Sequence, residues 1–293
     1  GSSYTGGMST SPPMVEQRGP LTLRDLHRMR RDGERFACLT AYDATTARWL
    51  ERAGVHLLLV GDSAAQVVLG LDRTIEMPLE ISIALTAAVK RGAPNTLVMA
   101  DMPFMSYQVN DDEAMRHAGR FLTEGLADCV KLELDASGAP LVGRLSKAGI
   151  AVCAHVGFRP QQVTVTGYAS AGRTGADAKR VIDDAMALED AGAVLLLVEA
   201  VPPEVCERLV ERTSVPVIGI GAGTSAHGQI LVIQDLLGMT DVPPRFAEPV
   251  ASMGDDLRRA GEAWVSRVRE GRIGGRTYQM RPGESEKLDE MLP

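Results

Sequence analysis

The chain has 293 residues, of which 45% are hydrophobic and 24% are charged, and this is the composition of an ordinary soluble globular protein rather than a disordered or collagen-like one. Its formal net charge is −7 and its aromatic content is 4%, so we expect neither nucleic-acid binding through phosphate neutralisation nor base stacking. The longest apolar run, residues 191–198, is far shorter than the ~20 residues that a membrane-spanning helix needs. The composition therefore predicts a folded protein that binds neither nucleic acid nor membranes.

The cysteines and the start of the chain indicate the cellular setting. No two cysteines form a Cys-x-x-Cys pair, and three lie in apolar runs, so we expect buried small side chains rather than metal ligands or disulfides. Residues 1–7 resemble the remnant of an expression tag, and no secretory segment follows them. We therefore expect a cytoplasmic, reduced protein. The cysteines are Cys38, Cys129, Cys153 and Cys206.

A helix and eight short apolar runs follow along the chain. Thr22 and Asp25 match a capping box for a helix that precedes the first run. Each run is rich in aliphatic residues and leads through a loop toward a helix-like segment, and the eighth run is the weakest. The runs are residues 36–39, 56–60, 96–100, 129–132, 150–154, 194–198, 215–220 and 230–233.

The apolar runs are continuous rather than alternating, which is typical of parallel strands that are covered on both faces. Residues 178–191 repeat apolar side chains at helical spacing, and an amphipathic pattern with Leu257, Trp264 and Val268 follows the last run. Eight such units predict an α/β fold, a (β/α)8 TIM barrel, and a doubly wound open sheet is the alternative because both folds share the unit. No Pro-, Gly- or Ser-rich linker divides the chain, so we expect one domain.

Polar side chains stand at the carboxyl ends of five of the runs. In a barrel these ends meet at one face, where such enzymes place their chemistry. The burial of several ionisable groups there costs free energy unless they are paired or solvated. A structural layer of salt bridges that closes the mouth of the barrel is the alternative. The residues are Asp62, Ser63, Asp101, Lys131, Glu133, His155 and Glu199.

Three of these residues, Asp62, Asp101 and Glu133, are carboxylates that would converge with Lys131 as the cation nearest in sequence. Like charges placed so close either raise a pKa or hold a hard cation, and an oxygen-ligand site of this kind suits Mg²⁺. His155 has no second histidine beside it for a zinc site, so we expect a core histidine that donates to a neighbour. The pattern therefore predicts a magnesium site.

Lys131 and Glu133 lie two residues apart, so their side chains share one face of a strand. Lys131 can hold a substrate carboxylate as a point charge, or it can form a Schiff base if desolvation lowers its pKa. Neighbouring carboxylates keep a lysine protonated, which favours the carboxylate-binding role. Residues 219–223 lack the full spacing of a dinucleotide-binding loop and are interpreted as a tight turn between a strand and a helix.

Nine segments match the motifs of one known family, in order and at similar spacing, over residues 20–271. They are Leu39-Thr40-Ala41-Tyr42-Asp43, Val60-Gly61-Asp62-Ser63, Arg91-Gly92-Ala93-Pro94, Ala100-Asp101-Met102-Pro103-Phe104, Val130-Lys131-Leu132-Glu133, Ala154-His155-Val156-Gly157 with Pro160-Gln161, Glu199-Ala200-Val201-Pro202, Ile218-Gly219-Ile220-Gly221-Ala222-Gly223 and Gly228-Gln229-Ile230-Leu231-Val232. On these segments the chain resembles the ketopantoate hydroxymethyltransferases (3-methyl-2-oxobutanoate hydroxymethyltransferases).

The resemblance implies a (β/α)8 barrel of the phosphoenolpyruvate/pyruvate-binding type, a Mg²⁺ ion and a homodecamer of two pentamers. The implied reaction moves a hydroxymethyl group from the co-substrate 5,10-methylenetetrahydrofolate to 3-methyl-2-oxobutanoate, giving 2-dehydropantoate on the way to pantothenate and coenzyme A. By motif, Asp62 and Asp101 hold Mg²⁺ with Glu133 in support, and Asp62 and Asp101 also contact the substrate. Ser63 and Lys131 bind the 2-oxo acid, and Glu199 is the proton acceptor.

The resemblance also sets the expected domain limits. We expect a tag remnant and flexible N-terminus over residues 1–19, a catalytic barrel over residues 20–271 and a C-terminal arm over residues 272–293. The arm is polar and Gly-rich, so we expect it to lie on the surface or against a neighbouring subunit.

Three departures from the family pattern stand out. Leu134 and Asp135 follow Glu133 where the family has two glycines, the loop at residues 167–173 is one residue shorter, and residues 276–279 replace a His-Ser-Phe segment. A leucine where glycine allows close backbone approach is expected to narrow the pocket beside the metal. The departures therefore predict weak activity on 3-methyl-2-oxobutanoate or a preference for another 2-oxo acid.

Two further alternatives are a lyase or mutase that forms a Mg²⁺-enolate on the same barrel, and a non-catalytic binding subunit. The first is disfavoured because the match runs through the transferase motifs. The second is disfavoured because a relic would be free to lose its ionisable residues. The sequence does not decide whether folate or free formaldehyde supplies the carbon.

Overall fold

Eight parallel strands form a closed barrel in the computed structural model, which describes residues 19–167 and 169–292. The predicted tag remnant at residues 1–7 lies outside the described residues. Each strand pairs with the next, and β8 pairs with β1 to close the ring. The strands are β1 (Phe36–Thr40), β2 (Leu57–Val60), β3 (Leu97–Asp101), β4 (Cys129–Glu133), β5 (Val152–Gly157), β6 (Leu195–Glu199), β7 (Val217–Ile220) and β8 (Gly228–Leu231).

The eight predicted apolar runs all contain strand residues, and the closed ring confirms the (β/α)8 barrel over the open sheet. The largest difference is at the fifth run, where the strand begins two residues and ends three residues later than predicted. At the eighth run the strand begins and ends two residues earlier than predicted. Ile233 already begins a short helix, and its backbone N–H donates to the side-chain hydroxyl of Thr40 at the end of β1 rather than to a backbone carbonyl of the sheet. This contact joins residues that are 193 positions apart in the sequence, so the apolar pattern carries no signal of it.

Helices surround most of the barrel. The first is preceded by the predicted cap, in which the carboxylate of Asp25 accepts from the backbone N–H of Thr22 at 2.8 Å. The helices are α1 (Leu23–Asp32), α2 (Ala44–Arg52), α3 (Ala64–Val67), α4 (Leu79–Gly92), α5 (Asp111–Thr123), α6 (Ala139–Lys147), α7 (Val163–Thr166), α8 (Gly175–Asp190), α9 (Pro203–Val210), α10 (Ile233–Leu236), α11 (Met253–Arg269) and α12 (Glu284–Met291).

The connection between β7 and β8 differs from the predicted turn. No helix lies between β7 and β8: residues 221–227, all of them described, form a loop that leads directly into β8. Gly221 and Gly223 hold positive φ angles of +60° and +77° in this loop. The prediction of a turn between a strand and a helix is therefore wrong.

Side-chain alternation along the strands divides the barrel into an inner and an outer layer. The inner layer starts with apolar side chains near the amino ends, such as Leu97 and Cys129, and outward-facing Leu132 and Leu196 pack against the helices. All four cysteines are buried and free, as predicted. The same inward positions at the carboxyl ends carry Asp101, Lys131, Glu133, His155 and Glu199.

Helix α1 closes the amino end of the barrel. Leu26 and Met29 are buried against the inner layer, next to Phe36 and Leu57. This apolar floor separates the inner ionisable groups from water below, so that solvent reaches them from the carboxyl end alone.

The last helices lie outside the barrel. None of the described residues of α11 is buried, although Leu257, Trp264 and Val268 give it the predicted apolar stripe. The predicted C-terminal arm is exposed and contains the short helix α12. Among the described residues, no helix combines the length and apolar character that crossing a membrane demands.

We predict that Leu26→Ala lowers the free energy of unfolding by about 2–5 kcal/mol, because it opens a cavity in the fully buried floor of the barrel. Urea denaturation measures the change. The matched control Leu288→Ala, in the exposed helix α12, should change stability by no more than about 0.5 kcal/mol. Equal losses in the two variants would show that α1 does not seal the barrel.

Candidate active site

A cavity of about 110 Å³ opens at the carboxyl end of the barrel. It lies above the apolar inner layer and is bordered by Leu59, Leu197 and Ile230. All six residues predicted for the site line it, although they come from four different strands and their loops. They are Asp62, Ser63, Asp101, Lys131, Glu133 and Glu199.

Lys131 and Asp101 form the central ion pair of the cavity. The strand register places them side by side on β3 and β4, and Lys131 Nζ donates to Asp101 Oδ1 at 2.7 Å. The other oxygen of Asp101, Oδ2, accepts the backbone N–H of Asp62 at 3.2 Å. Asp101 therefore links the end of β2 to the lysine.

Lys131 stays charged in this environment. Burial by itself lowers the pKa of Lys131, but the carboxylates of Asp101, Glu133 and Asp62 outweigh it and raise the pKa above its ordinary value. A lysine held as a cation is no nucleophile, so the geometry favours the anion-binding role over a Schiff base.

The cavity holds more negative charge than Lys131 balances. Burial, followed by the neighbouring carboxylate of Asp101, raises the pKa of Asp62 to about 7. Burial also raises the pKa of Glu133 well above its usual range, although Lys131 acts in the opposite direction. Glu133 Oε1 is buried, lies 4.0 Å from Lys131 Nζ and has no hydrogen-bond partner among residues 19–167 and 169–292. The single positive charge of Lys131 therefore does not neutralise all the carboxylates of the cavity.

This donor set fits a hard divalent cation. Carboxylate oxygens are the ligands that Mg²⁺ prefers, and the ion commonly takes one or two of them together with waters and substrate oxygens. Within the described residues, no three His, Cys, Asp or Glu side chains are arranged to enclose a metal by themselves. The site therefore suits an ion whose coordination a bound substrate completes.

Glu199 ends β6 at the edge of the cavity, with 18% of its side chain exposed. Burial raises its pKa to about 7, although Lys131 acts to lower it. Glu199 Oε2 lies 3.3 Å from Nε2 of His155. Burial, and after it the charge of Lys131, lowers the pKa of His155 well below its ordinary value. A neutral imidazole thus stands between Glu199 and Glu133, which is 3.7 Å from its Nδ1.

The backbone around Glu199 is tightly constrained. Gly157, its partner on β5, has a φ of +90°, and a Cβ at that position would lie 2.5 Å from the carbonyl oxygen of Glu199. Ala200 has a φ of +49°, which is unfavourable for a residue with a side chain. Such strain occurs at functional sites, and here it fixes the direction in which β6 delivers its glutamate.

Sequence reasoning gave no role to Gln161, Tyr107 or Tyr42. Gln161 donates to Asp62 and Glu133, Tyr107 donates to Gln161 at 2.6 Å, and the hydroxyls of Tyr42 and Ser63 lie 2.7 Å apart. Tyr42 and Gln161 stand within the matching segments, which was a usable signal. Tyr107 stands in no such segment, and only the fold brings it to the site.

The structure contradicts the expected effect of Leu134. Side chains alternate along β4, so Glu133 faces the barrel interior and Leu134 faces away from it. Leu134 lines a separate cavity beside Phe158 and Val181 and does not border the one that holds the carboxylates. Asp135 accepts from Arg159 at 3.1 Å. The expected narrowing of the metal pocket by Leu134 is therefore wrong.

The other two departures from the family pattern also lie outside the cavity. In the loop at residues 167–173, Ala171 donates its backbone N–H to the carbonyl of Ala200, and Tyr168 lies outside the described residues. Residues 276–279 are exposed in the arm. Neither segment supplies a described residue to the wall of the carboxylate cavity.

The fold and the site define a (β/α)8-barrel enzyme with a cluster of carboxylates and one lysine at the carboxyl end of its strands. A model of the family described as ketopantoate hydroxymethyltransferase matches residues 20–275. The 3-methyl-2-oxobutanoate hydroxymethyltransferase of Halorhodospira halophila is 46% identical over 269 residues, covering 92% of this chain and 98% of that protein. That of Hyperthermus butylicus is 43% identical over 278 residues, covering 94% and 96%. The chain belongs to the ketopantoate hydroxymethyltransferase family and is a transferase.

Solved structures of other enzymes share the fold. A 2,3-dimethylmalate lyase has a TM-score of 0.56 at 18% identity, covering 92% of this chain and 99% of that one. A phosphoenolpyruvate phosphomutase from Streptomyces platensis subsp. rosaceus has a TM-score of 0.60 at 13% identity, covering 92% and 97%. These similarities concern the barrel alone.

We predict that Glu199→Gln stabilises the metal-free protein at pH 8 but not at pH 4. Folding raises the pKa of the Glu199 carboxyl from 4.5 to about 7. The wild-type protein therefore loses stability as the pH rises between these two values, because the folded state still holds a proton that the unfolded state has released. Above pH 7, the free energy of unfolding of the variant should exceed that of the wild type by roughly 1–3 kcal/mol. Thermal unfolding in EDTA across this range measures the difference.

The matched control is Glu286→Gln in the exposed helix α12, which makes the same chemical change outside the barrel. A difference between Glu199→Gln and the wild type that stays constant from pH 4 to pH 8 would contradict the raised pKa.

Proposed function

We propose that the chain transfers a hydroxymethyl group from 5,10-methylenetetrahydrofolate to 3-methyl-2-oxobutanoate in the presence of Mg²⁺, giving 2-dehydropantoate for the synthesis of pantothenate. The observation that carries the proposal is the position of Glu199, a base with a pKa of about 7, in the same small cavity as Asp62, Asp101 and Lys131. The names of its relatives support the same reaction.

Asp62 and Asp101 would hold the Mg²⁺ ion, with Glu133 in support. Their carboxylates line one wall of the cavity, and the excess of negative charge over Lys131 provides the attraction. When bound, the ion supplies Lewis-acid polarisation of the 2-oxo group, which makes the neighbouring C3–H more acidic.

Ser63 and Lys131 would bind the 2-oxo acid. Lys131 is a fixed cation suited to the substrate carboxylate, and the hydroxyl of Ser63 is oriented by Tyr42 at 2.7 Å. A cavity of about 110 Å³ accommodates a short 2-oxo acid but not a folate. The folate would therefore present its one-carbon unit from the open side of the cavity.

Glu199 would accept the proton from C3 of the 2-oxo acid. A pKa of about 7 leaves a useful fraction of the carboxylate ionised at neutral pH and makes it a stronger base than an exposed glutamate. The carbanion then forms a new C–C bond to the one-carbon unit, and the bonds between that unit and the two folate nitrogens break. A water supplies the hydroxyl oxygen together with one of its hydrogens. Its other proton and the C3 proton, which Glu199 gives back, pass to the two nitrogens of the departing folate.

The position of Leu134 removes the main reason for proposing a different substrate. It lies outside the cavity that would bind the 2-oxo acid, so the change from glycine does not alter the space beside C3. We therefore propose 3-methyl-2-oxobutanoate as the substrate rather than another 2-oxo acid. Free formaldehyde in place of the folate would leave the roles of Glu199 and Lys131 unchanged.

We also propose that the chain acts in the cytoplasm as a homo-oligomer, which the family resemblance makes a decamer. The apolar stripe of α11 supports self-association. Leu257, Trp264 and Val268 are exposed along one helix that buries none of its described residues in the barrel. Contiguous exposed apolar surface of this kind is typical of protein–protein contacts.

We predict that the enzyme exchanges the C3 proton of 3-methyl-2-oxobutanoate for deuterium with Mg²⁺ and no folate, and that Glu199→Gln slows this exchange by about 10²–10⁴-fold. Glutamine keeps the shape of the side chain but cannot accept the proton. Proton NMR in D₂O follows the exchange, and the wild-type rate should rise with pH up to a plateau above pH 7. A variant within a few-fold of wild type would assign the base elsewhere.

We predict that Asp101→Asn reduces the exchange to the rate of the EDTA-treated wild type, because it removes a charged ligand and the partner of Lys131. The matched control Asp111→Asn, at the half-exposed start of α5 outside the barrel mouth, should exchange like the wild type. Circular dichroism confirms that each variant is folded. Exchange that continues at full rate in EDTA would refute the role of the metal.

A further inference from the structure

Gln161 connects three of the elements that form the site. It lies in a single helical turn after β5 and is 4% exposed, although it carries a full amide group. From this position it reaches the ends of β2, β3 and β4. A buried amide is stable only when its donors and acceptor are all satisfied.

The contacts of Gln161 satisfy that condition. Its backbone N–H donates to Glu133 Oε2 at 2.9 Å. Its side-chain Nε2 donates to Asp62 Oδ2 at 3.2 Å and to the carbonyl of Met102 at 3.0 Å. Its Oε1 accepts from the hydroxyl of Tyr107 at 2.6 Å and from Nε2 of Gln108 at 3.3 Å.

These partners allow one orientation of the amide. The carbonyl of Met102 can only accept, so Nε2 must face it, and Oε1 is left for Tyr107. The same rotation points the second amide hydrogen at Asp62. Tyr107 is itself held in place, because its hydroxyl accepts the backbone N–H of Glu133 at 3.2 Å. The chain from Glu133 through Tyr107 to Gln161 therefore fixes one oxygen of Asp62.

We propose that Gln161 is a positioning residue for the magnesium site, which holds one oxygen each of Asp62 and Glu133 and so leaves the remaining oxygens of both carboxylates directed at the cation. This inference rests on the proposed metal-dependent function. Partners of this kind, one step removed from the metal, typically contribute about 10–100-fold to metal affinity.

The side-chain contact can be removed without the backbone contact. Gln161→Met keeps the length of the side chain and the backbone N–H to Glu133 but loses the donor to Asp62. Tyr107→Phe keeps Asp62 and Gln161 and removes the hydroxyl that holds the amide in its orientation. The matched control is Gln229→Met, because Gln229 is exposed on the outer face of β8 and its amide donates to the carbonyl of Gly223 at 3.0 Å.

The test is the affinity for Mn²⁺, measured by the electron paramagnetic resonance of free Mn²⁺ with no substrate turnover. Gln161→Met should raise the dissociation constant by about 10–100-fold, and Gln229→Met should leave it unchanged. Tyr107→Phe should weaken binding less, because Gln161 can still donate to Asp62, and it should add little to Gln161→Met, in which the amide that Tyr107 orients is already gone. A structural role alone would lower the melting temperature without changing the affinity of the folded protein.

Wild-type affinity in folded Gln161→Met would overturn the inference while leaving the proposed metal site intact. If Gln161→Met does not fold, wild-type affinity in Tyr107→Phe would overturn it equally. A wild-type protein that binds no Mn²⁺ would instead refute the proposed function on which the inference rests.

Discussion

Asp62, Asp101, Glu133 and Glu199 share one buried cavity with a single lysine, Lys131. Four carboxyl groups and one ammonium cannot all be stable as ions there without a further cation or bound protons. The protein takes up this imbalance in two ways. The pKa values of Asp62 and Glu199 rise to about 7, and the carboxylates at the ends of β2 to β4 would attract the proposed divalent ion. In the proposed function, metal affinity and the strength of the base would therefore have the same electrostatic origin.

The rest of the barrel maintains this condition. Helix α1 seals the amino end with Leu26 and Met29, so that the charged groups rest on an apolar layer and water reaches them only from the mouth. At the mouth, the backbone around Glu199 is held by the close approach of Gly157. Gln161 fixes the opposite wall. Burial provides the energetic effect, and these local contacts provide the direction of each side chain.

Much of this site could be predicted from the sequence, because strand periodicity is a local property. Polar residues at the ends of apolar runs identified Asp101, Glu133 and Glu199, and the closed barrel brings them together. The same alternation rule, applied one residue further, would have shown that Leu134 faces outward. Contacts that depend on loop geometry were out of reach: Gln161 meets Asp62 across 99 positions in sequence, and no periodic pattern records that distance.

The central claim is that burial gives Glu199 a pKa near 7 in the folded protein. Infrared difference spectroscopy between the metal-free wild type and Glu199→Gln isolates the carbonyl band of this one protonated carboxyl group, and its intensity can be followed from pH 4 to pH 9. A midpoint near pH 7 is expected, with the band lost as the pH rises. A midpoint near 4.5, the ordinary value for a glutamate, would contradict the claim and leave the enzyme without the base proposed for it.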